Sequence, residues 1–410
     1  MSKNKKSAIL LFILTFTICF GFINSALACE NKTHETNYAK WKFSNGQPYL
    51  YVKADNYYSL GYLEGQNLGA QTAWMKLMIM LQAQEIGLSY ETAIYYALEY
   101  LDYFPEEFLL EMNGFADAID MVSVPFMGVV YNIAIDFLDV LVQNCFWDVY
   151  YGKIVPMLSG YPQQPLIVAG CTAIGSRTFR GNAILGQTID ISLLMQPTTS
   201  WVFTNIQGKK VFSFRTGSML AMGGINKYGV AISTNLLEVL NVGCIGKPIS
   251  VIYRSALEHA KNVNQAKKII LDNHFTLGWN YIIRDKRNIV AIETIPNSYS
   301  LERVNVRGYT FDANIYENPY FKTFMIYSTK YTERYDKVSE LCQIKSEDGK
   351  LDINDLYDIY SDPLIARRYT TPDPLEVGTA GTFFIDVKNR VHFCLGNPVD
   401  SELGLISRFE

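Results

Sequence analysis

The sequence predicts an α+β protein, with a helical first part followed by sheets packed face to face and covered by helices. Three observations carry this expectation. Between about residues 56 and 152, apolar residues recur at mixed three- and four-residue spacing, the period of one helix face. After Cys171 the chain turns to short alternating segments punctuated by glycine and asparagine turns. Near the C-terminus two helix-like stretches separate one group of strands from the next, an order that suits stacked sheets with helices outside.

Taken in chain order, the first 28 residues read as a targeting segment. Lys3, Lys5 and Lys6 precede an apolar run over residues 9–23, and Ser25-Ala26-Leu27-Ala28 carries the Ala-x-Ala spacing of a signal-peptidase site. The expectation is a secreted or otherwise extracytoplasmic protein, with an uncleaved membrane anchor as the alternative. Cys29 directly behind the small residues opens a lipoprotein reading, although Ala26 stands where a lipobox usually has leucine. Asn31-Lys32-Thr33 is a formal glycosylation sequon.

The helical part, residues 29–170, divides at its punctuation. A helix is expected over 60–86 behind the Asp55-Asn56 cap. A second runs over 90–103, from Ser89 to the stop at Phe104-Pro105. A third begins at Pro105-Glu106-Glu107, where proline suits the first turn and acids suit the dipole. The run 121–147 is apolar enough to suggest a membrane span, but Asn132, Asp136, Asp139 and Gln143 predict a buried or amphipathic helix instead.

Beyond Cys171, strands are expected at 183–186, at the hairpin pair 201–205 and 210–214 around Gln207-Gly208, and at 230–233 after Asn226-Lys227-Tyr228-Gly229. Helices follow around 250–262 and 264–272, then strands at 279–284, 289–294 and 300–306. Helix-like stretches at 330–343 and 353–361 lead to closing strands at 381–387 and 390–396. The sequence shows no internal repeat.

Composition narrows the chemistry. The 410 residues are 49% hydrophobic and 14% aromatic, and a net charge of −4 without a basic stripe argues against a nucleic-acid partner. Seven cysteines show no framework spacing, so no disulfide scaffold is indicated, although one pair can still bond in an exported protein. His34, His259, His274 and His392 lack metal-ligand spacing, and no metal or cofactor is expected. No nucleophile-elbow or phosphate-loop motif is present. Cys394 with His392 reads as sheet, and Cys244 in Gly243-Cys244-Ile245-Gly246 as a turn.

One seam stands apart. Gly170-Cys171-Thr172 lies between a connector, residues 159–165, with its short apolar run 166–169, and the β-rich part. Cutting the Gly170–Cys171 bond would leave a thiol and a free α-amino group on one residue. Around it the order is Gly170-Cys171-Thr172-Ala173, then Gly186-Gln187-Thr188-Ile189-Asp190, then Gly223-Gly224-Ile225-Asn226 with Gly229-Val230-Ala231, then Ser233-Thr234-Asn235-Leu236. Further on come Ala313-Asn314-Ile315-Tyr316, the segment from Gly381 to Asp386, and Leu395-Gly396-Asn397-Pro398. Upstream stand Gly61, Tyr62 and Gly65, Pro105-Glu106-Glu107, and Gly114-Phe115-Ala116-Asp117.

This order resembles an N-terminal-nucleophile (Ntn) hydrolase of the acyl-coenzyme A:6-aminopenicillanate acyltransferase family, related to the choloylglycine and acid-amidase hydrolases. The resemblance spans about residue 57 to the C-terminus. It implies a four-layer αββα sandwich with a helical N-terminal pro-segment, and self-cleavage at Gly170–Cys171. The pieces would be a helical chain, 29–170, and a catalytic chain, 171–410, which remain permanent partners; a homo-oligomer is compatible with this. Cys171 would be the nucleophile toward a small acyl amide or acyl thioester, with water or an amine finishing the reaction. Asp190 would hold the α-amine, and Asn235 and Asn314 would face the oxyanion. Thr172, Gln187, Ser328 and Arg334 would support them. Gln187 stands where the bile-salt and acid-amidase branches carry arginine, so the resemblance leans to the penicillin-acyltransferase branch. Ile315-Tyr316 replaces the family's His-aromatic pair. An esterase or lipid hydrolase on the same scaffold, or a non-catalytic secreted binding domain, are the alternatives.

Overall fold

The computed structural model describes residues 37–155, 169–239, 244–296, 298, 302–303, 308–326, 331–346, 350–371, 373, 375–407 and 409. The targeting segment 1–28, Cys29, Asn31, the connector 159–165, the apolar residues 166–168 and Ser328 lie outside the described residues.

In chain order the elements are β1 (Tyr38–Ser44), β2 (Gln47–Ala54), α1 (Tyr57–Glu85), α2 (Tyr90–Leu98), α3 (Glu106–Asp117), β3 (Met121–Phe126), β4 (Val129–Ala134) and α4 (Phe137–Val149). A π-helical turn, Tyr150–Ile154, follows. Then come β5 (Ala169–Arg177), β6 (Ala183–Ser192), β7 (Thr199–Ile206), β8 (Lys209–Thr216), β9 (Gly224–Asn226), β10 (Ala231–Leu237), α5 (Ile249–His259) and α6 (Val263–Leu271). The chain ends with β11 (Gly278–Arg284), β12 (Ile289–Thr294), β13 (Glu302–Arg303), β14 (Tyr309–Asp312), α7 (Thr332–Lys345), α8 (Ile353–Ile359), β15 (Val377–Ile385), β16 (Val391–Leu395) and β17 (Gly404–Ile406).

Among the described residues, one large sheet has nine strands in the order β1-β2-β7-β8-β9-β10-β11-β12-β13, a second has six, β14-β5-β6-β15-β16-β17, and β3 and β4 pair by themselves. Aromatic side chains lock the two large sheets together. The Trp201 ring of β7 stacks on Phe212 of its own sheet at 5.1 Å and meets Phe383 and Phe393 of the other sheet edge-on at 5.8 and 5.6 Å. The buried indole N–H finds the Cys394 carbonyl at 3.0 Å, as a buried tryptophan requires. Removing this ring would cost about 3–5 kcal/mol. On the outer face of the six-stranded sheet, Ile174, Ile184 and Phe384 pack with Val338, Cys342, Leu356 and Ile359 of α7 and α8. Helices α1, α5 and α6 cover the nine-stranded sheet, and α3 and α4 pack onto them. The layer order is therefore αββα.

The N-terminal part departs from the helical expectation in two places. Strands β1 and β2 form a hairpin at Asn45-Gly46, both at positive φ, and β2 runs parallel to β7. The segment ahead of the seam thus supplies two strands of the nine-stranded sheet. The run 121–147 is not one helix. Met127-Gly128, at φ 50° and 82°, closes a β3–β4 hairpin, the turn geometry favoured between twisted strands. Pro125 and the β-branched Val122, Val124, Val129 and Val130 disfavour helix there. The helix starts only at Asp136, which caps α4 in a reciprocal capping box with Asp139.

Candidate active site

Strand β5 positions Cys171 between two partners. It pairs with β6 so that Gly170 faces Asp190, Cys171 faces Ile189, Thr172 faces Thr188 and Ala173 faces Gln187. The period of two sets Cys171 toward the nine-stranded sheet and Gly170 and Asp190 toward α7. On its other edge β5 pairs with β14, but that ladder ends at Asp312 opposite Ala173. The Cys171 N–H and carbonyl therefore lie beyond the last strand partner. Side chains take over. The N–H donates to Asn314 Oδ1 at 2.8 Å, and the carbonyl accepts from Asn235 Nδ2 at 2.8 Å.

Asn314 is placed by its backbone as much as by its neighbours. It adopts φ 62° just after β14, a left-handed conformation that asparagine tolerates better than most residues. From there its Nδ2 donates to the Leu236 carbonyl at 2.7 Å, while Oδ1 also accepts from Arg334. Asn235 comes from β10, opposite Asn280 of β11. Its Oδ1 is buried without a hydrogen-bond partner among the described residues, as is that of Asn280.

Behind Gly170 lies a buried ion pair. Arg334 of α7 reaches Asp190 Oδ2 through Nη1 at 2.8 Å, and Thr379 Oγ1 donates to Asp190 Oδ1 at 2.7 Å. The guanidinium also lies over the Tyr331 ring, 5.3 Å from its centre, and Tyr331 donates to Glu238 at 2.9 Å. Gly170 is small for a visible reason. A Cβ there would come within 2.9 Å of Arg334 Nη1 and 3.1 Å of Nη2.

The electrostatics follow from burial. The Cys171 thiol is pushed up to about 12, first by desolvation and then by the Asp190 charge, with Arg334 opposing. At neutral pH it stays protonated and needs a base. Burial also pushes Asp190 up and Arg334 down from their ordinary values, and their mutual contact opposes both shifts.

The structure thus brings Cys171, Asp190, Asn235, Asn314 and Arg334 into one hydrogen-bonded cluster with Gly170 in its middle. Other expected residues stand apart from it. Gln187 shares the Cys171 face of the sheet but donates to the Thr234 carbonyl at 2.5 Å. Thr172 points to the opposite face, its hydroxyl buried without a partner among the described residues, while its carbonyl accepts from Tyr360 at 3.0 Å. Asn314 differs from a simple oxyanion donor, because its oxygen holds the Cys171 nitrogen; its Nδ2, like that of Asn235, gives one proton to a backbone carbonyl. Thr379 and Tyr331 join the cluster although no local pattern marks them. His392 and Cys394 remain in the six-stranded sheet, with His392 Nε2 3.5 Å from Asp386 and the Cys394 thiol donating to Gly396 at 3.4 Å. Among the described residues no three His, Cys, Asp or Glu side chains converge to hold a metal ion, and no helix is long and apolar enough to cross a membrane.

The family model of the acyl-coenzyme A:6-aminopenicillanic acid acyl-transferases matches residues 179–400. A comparison with curated proteins finds no match. Among solved structures, a Caenorhabditis elegans ortholog of N-acylethanolamine-hydrolyzing acid amidase is 17% identical with a TM-score of 0.39, covering 53% of this chain and 93% of that one. Penicillin V acylase from Agrobacterium tumefaciens is 14% identical with a TM-score of 0.37, covering 58% and 86%. A mutant conjugated bile acid hydrolase from Clostridium perfringens is 13% identical with a TM-score of 0.40, covering 58% and 92%. The chain belongs to the acyl-coenzyme A:6-aminopenicillanic acid acyl-transferase family.

Proposed function

We propose that this chain is a self-processing enzyme in which Cys171 cuts the Gly170–Cys171 bond and then hydrolyses a linear acyl amide or transfers its acyl group. The observation that carries the reading is the grip on the backbone of Cys171. A strand residue ordinarily commits its N–H and carbonyl to a neighbouring strand. Here two side-chain amides hold them, with a buried ion pair against the preceding glycine.

In the first step Sγ attacks the Gly170 carbonyl carbon. The thiol proton passes to the Cys171 nitrogen, the C–N bond breaks, and the acyl group stays on sulfur. Water then hydrolyses the thioester and frees the Gly170 carboxylate, the thiol and an α-amino group. That nitrogen is the one Asn314 Oδ1 already accepts from. In each later turnover the free α-amine, with an ordinary pKa of about 8, takes the thiol proton directly. The thiolate attacks the substrate carbonyl, the leaving amine departs with the proton from the α-ammonium, and water or an acceptor amine removes the acyl group. We assign Asn235 as the oxyanion donor, a role worth about 3 kcal/mol. Asn314 is assigned to hold the nitrogen, with the Asp190–Arg334 pair orienting it. Export through residues 1–28 belongs to the same reading.

Denaturing electrophoresis and mass spectrometry of the chain termini test it. Wild type is expected as two chains, the second beginning at Cys171, and Cys171→Ala as one uncut chain. A single uncut wild-type chain would sink self-cleavage. Chromogenic acyl amides and acyl esters then separate amidase from esterase, and an intact residue 28–29 bond would replace the released form by the uncleaved anchor.

A further inference from the structure

Thr379 stands opposite Asp190 only because of an irregularity in β15. The ladder between β15 and β6 runs in step from Ile385 opposite Leu185 to Gly381 opposite Ile189, then shifts so that Thr379 faces Asp190. Continued without the shift, the same register would put Ala380 there, and Ala380 has no donor. The bulge is itself secured, since the Ala380 carbonyl accepts the Gly396 N–H at 2.8 Å. Bulges of this kind re-aim a side chain.

The hydroxyl is also directional. Thr379 Oγ1 accepts the Arg367 N–H at 2.9 Å, and the Thr379 N–H returns a bond to the Arg367 carbonyl at 2.9 Å. With an acceptor site filled by Arg367, the single hydroxyl proton is left for Asp190 Oδ1 at 2.7 Å. Arg334 holds the other oxygen at 2.8 Å. Both carboxylate oxygens are therefore fixed from opposite sides, by α7 and by β15, in a site where Thr379 is 1% and Asp190 0% exposed.

We propose that Thr379 is a positioning residue for the reaction: its hydroxyl, aimed by the β15 bulge and by Arg367, fixes the rotamer of Asp190 beside the Gly170–Cys171 bond. The inference rests on the self-processing reading given above, because it acts through Asp190 on the same bond. Asp190 is surrounded by Arg334 on α7, Arg367 ahead of β15, Cys171 on β5, and the Tyr360 and Tyr369 hydroxyls. Of these, the two arginines and Thr379 favour its charged form. Loss of the hydroxyl raises the Asp190 carboxyl further, so the pH below which it protonates moves upward.

The test uses the full chain made by cell-free synthesis at a series of pH values, with cleavage followed on denaturing gels. Thr379→Val is expected to slow the cut at least about tenfold and to move the acid limb of its rate profile up by about one pH unit. Thr379→Ser, which keeps the hydroxyl, retains the wild-type rate and profile. Thr379→Ala repeats the hydroxyl loss and shows the same shift if the valine variant does not fold. A hydroxyl-less variant with an unmoved acid limb, or a serine variant as impaired as valine, overturns the inference. Cys171→Ala separates the levels. If Cys171→Ala stays uncut while Thr379→Val cuts like wild type, the Thr379 inference alone fails. If wild type stays uncut, or Cys171→Ala is cut, the self-processing reading fails with it.

Discussion

Two buried arginine–carboxylate systems in this molecule use the same chemistry for different ends. At the seam between the N-terminal helices and the β-rich part, Glu64 of α1 meets Arg215 of β8 at 2.8 Å. There Arg254 of α5 forks onto Glu111 of α3 at 3.1 and 3.0 Å and also binds Glu258. Tyr57 and Lys209 close on the same Glu258 at 2.6 and 3.3 Å. At the site, one arginine serves one carboxylate and one asparagine. The seam is redundant and joins residues 57–111 to residues 209–258 across the proposed cut. The site is lean, so a single substitution uncouples it. Breaking a buried pair leaves an uncompensated charge, and the number of charges left behind sets the difference.

Arg254→Met is accordingly the most damaging change, stranding Glu111 and leaving Glu258 with only Tyr57 and Lys209. It should lower unfolding stability by about 3–5 kcal/mol or more in a denaturant titration, and near-wild-type stability would break the contrast. Arg334→Met should slow cleavage at Gly170 by about 10²–10³-fold while lowering stability less than Arg254→Met does; the reverse ranking would show that the site pair is structural. Gly170→Ala sharpens the comparison, since its Cβ would press on Arg334 from 2.9 Å. A cost of about 1–3 kcal/mol for such overpacking should appear as cleavage slowed about tenfold or more, read from the same gel time course.

A last contrast concerns a buried carboxylate without an arginine. Asp148 of α4 accepts the Ile249 N–H at the start of α5 at 3.0 Å, and among the described residues it has no ion pair. Burial pushes it up from 3.8 to about 7. The folded state thus holds this proton more tightly than the unfolded chain. Its stabilising contribution is full below pH 3.8 and is lost as pH rises through 7. Asp148→Asn should remove that decline, raising the unfolding midpoint relative to wild type at about pH 8 but not at about pH 4. Parallel pH curves for the two proteins would show that Asp148 is ionised in the fold.

Legibility in the sequence followed the locality of the signal. The 60–86 helix, the Gln207-Gly208 hairpin and the paired helices near 250–272 all carry caps, turns or a clean period, and the elements fall close to the expected bounds. The run 121–147 misled because its apolar content outweighed Pro125 and Met127-Gly128, which mark a hairpin by turn chemistry. Strands β1 and β2 were not marked at all, although Asn45-Gly46 is a strong turn pair; β2 is secured by parallel pairing with a strand about 150 residues away, which no local window contains. The site shows the same division. Cys171, Asp190, Asn235 and Asn314 could be singled out by motif order, whereas Arg334 was weakly marked and Thr379 was invisible, because its place depends on a one-residue shift in β15.

By itself the sequence determined that a helix-rich part meets a β-rich part at Gly170–Cys171, and that this bond joins the smallest residue to a thiol. Those are properties of composition, period and covalent chemistry, and they need no neighbours. Only the tertiary structure decided that β14 stops short of Cys171, so that Asn235 and Asn314 hold its backbone, and that Arg334 fills the space a Cβ at Gly170 would take. The reason is physical. Hydrogen bonds and ion pairs of this kind form between strands and a helix distant in sequence, and their geometry exists only once the two sheets and the α7 layer have packed.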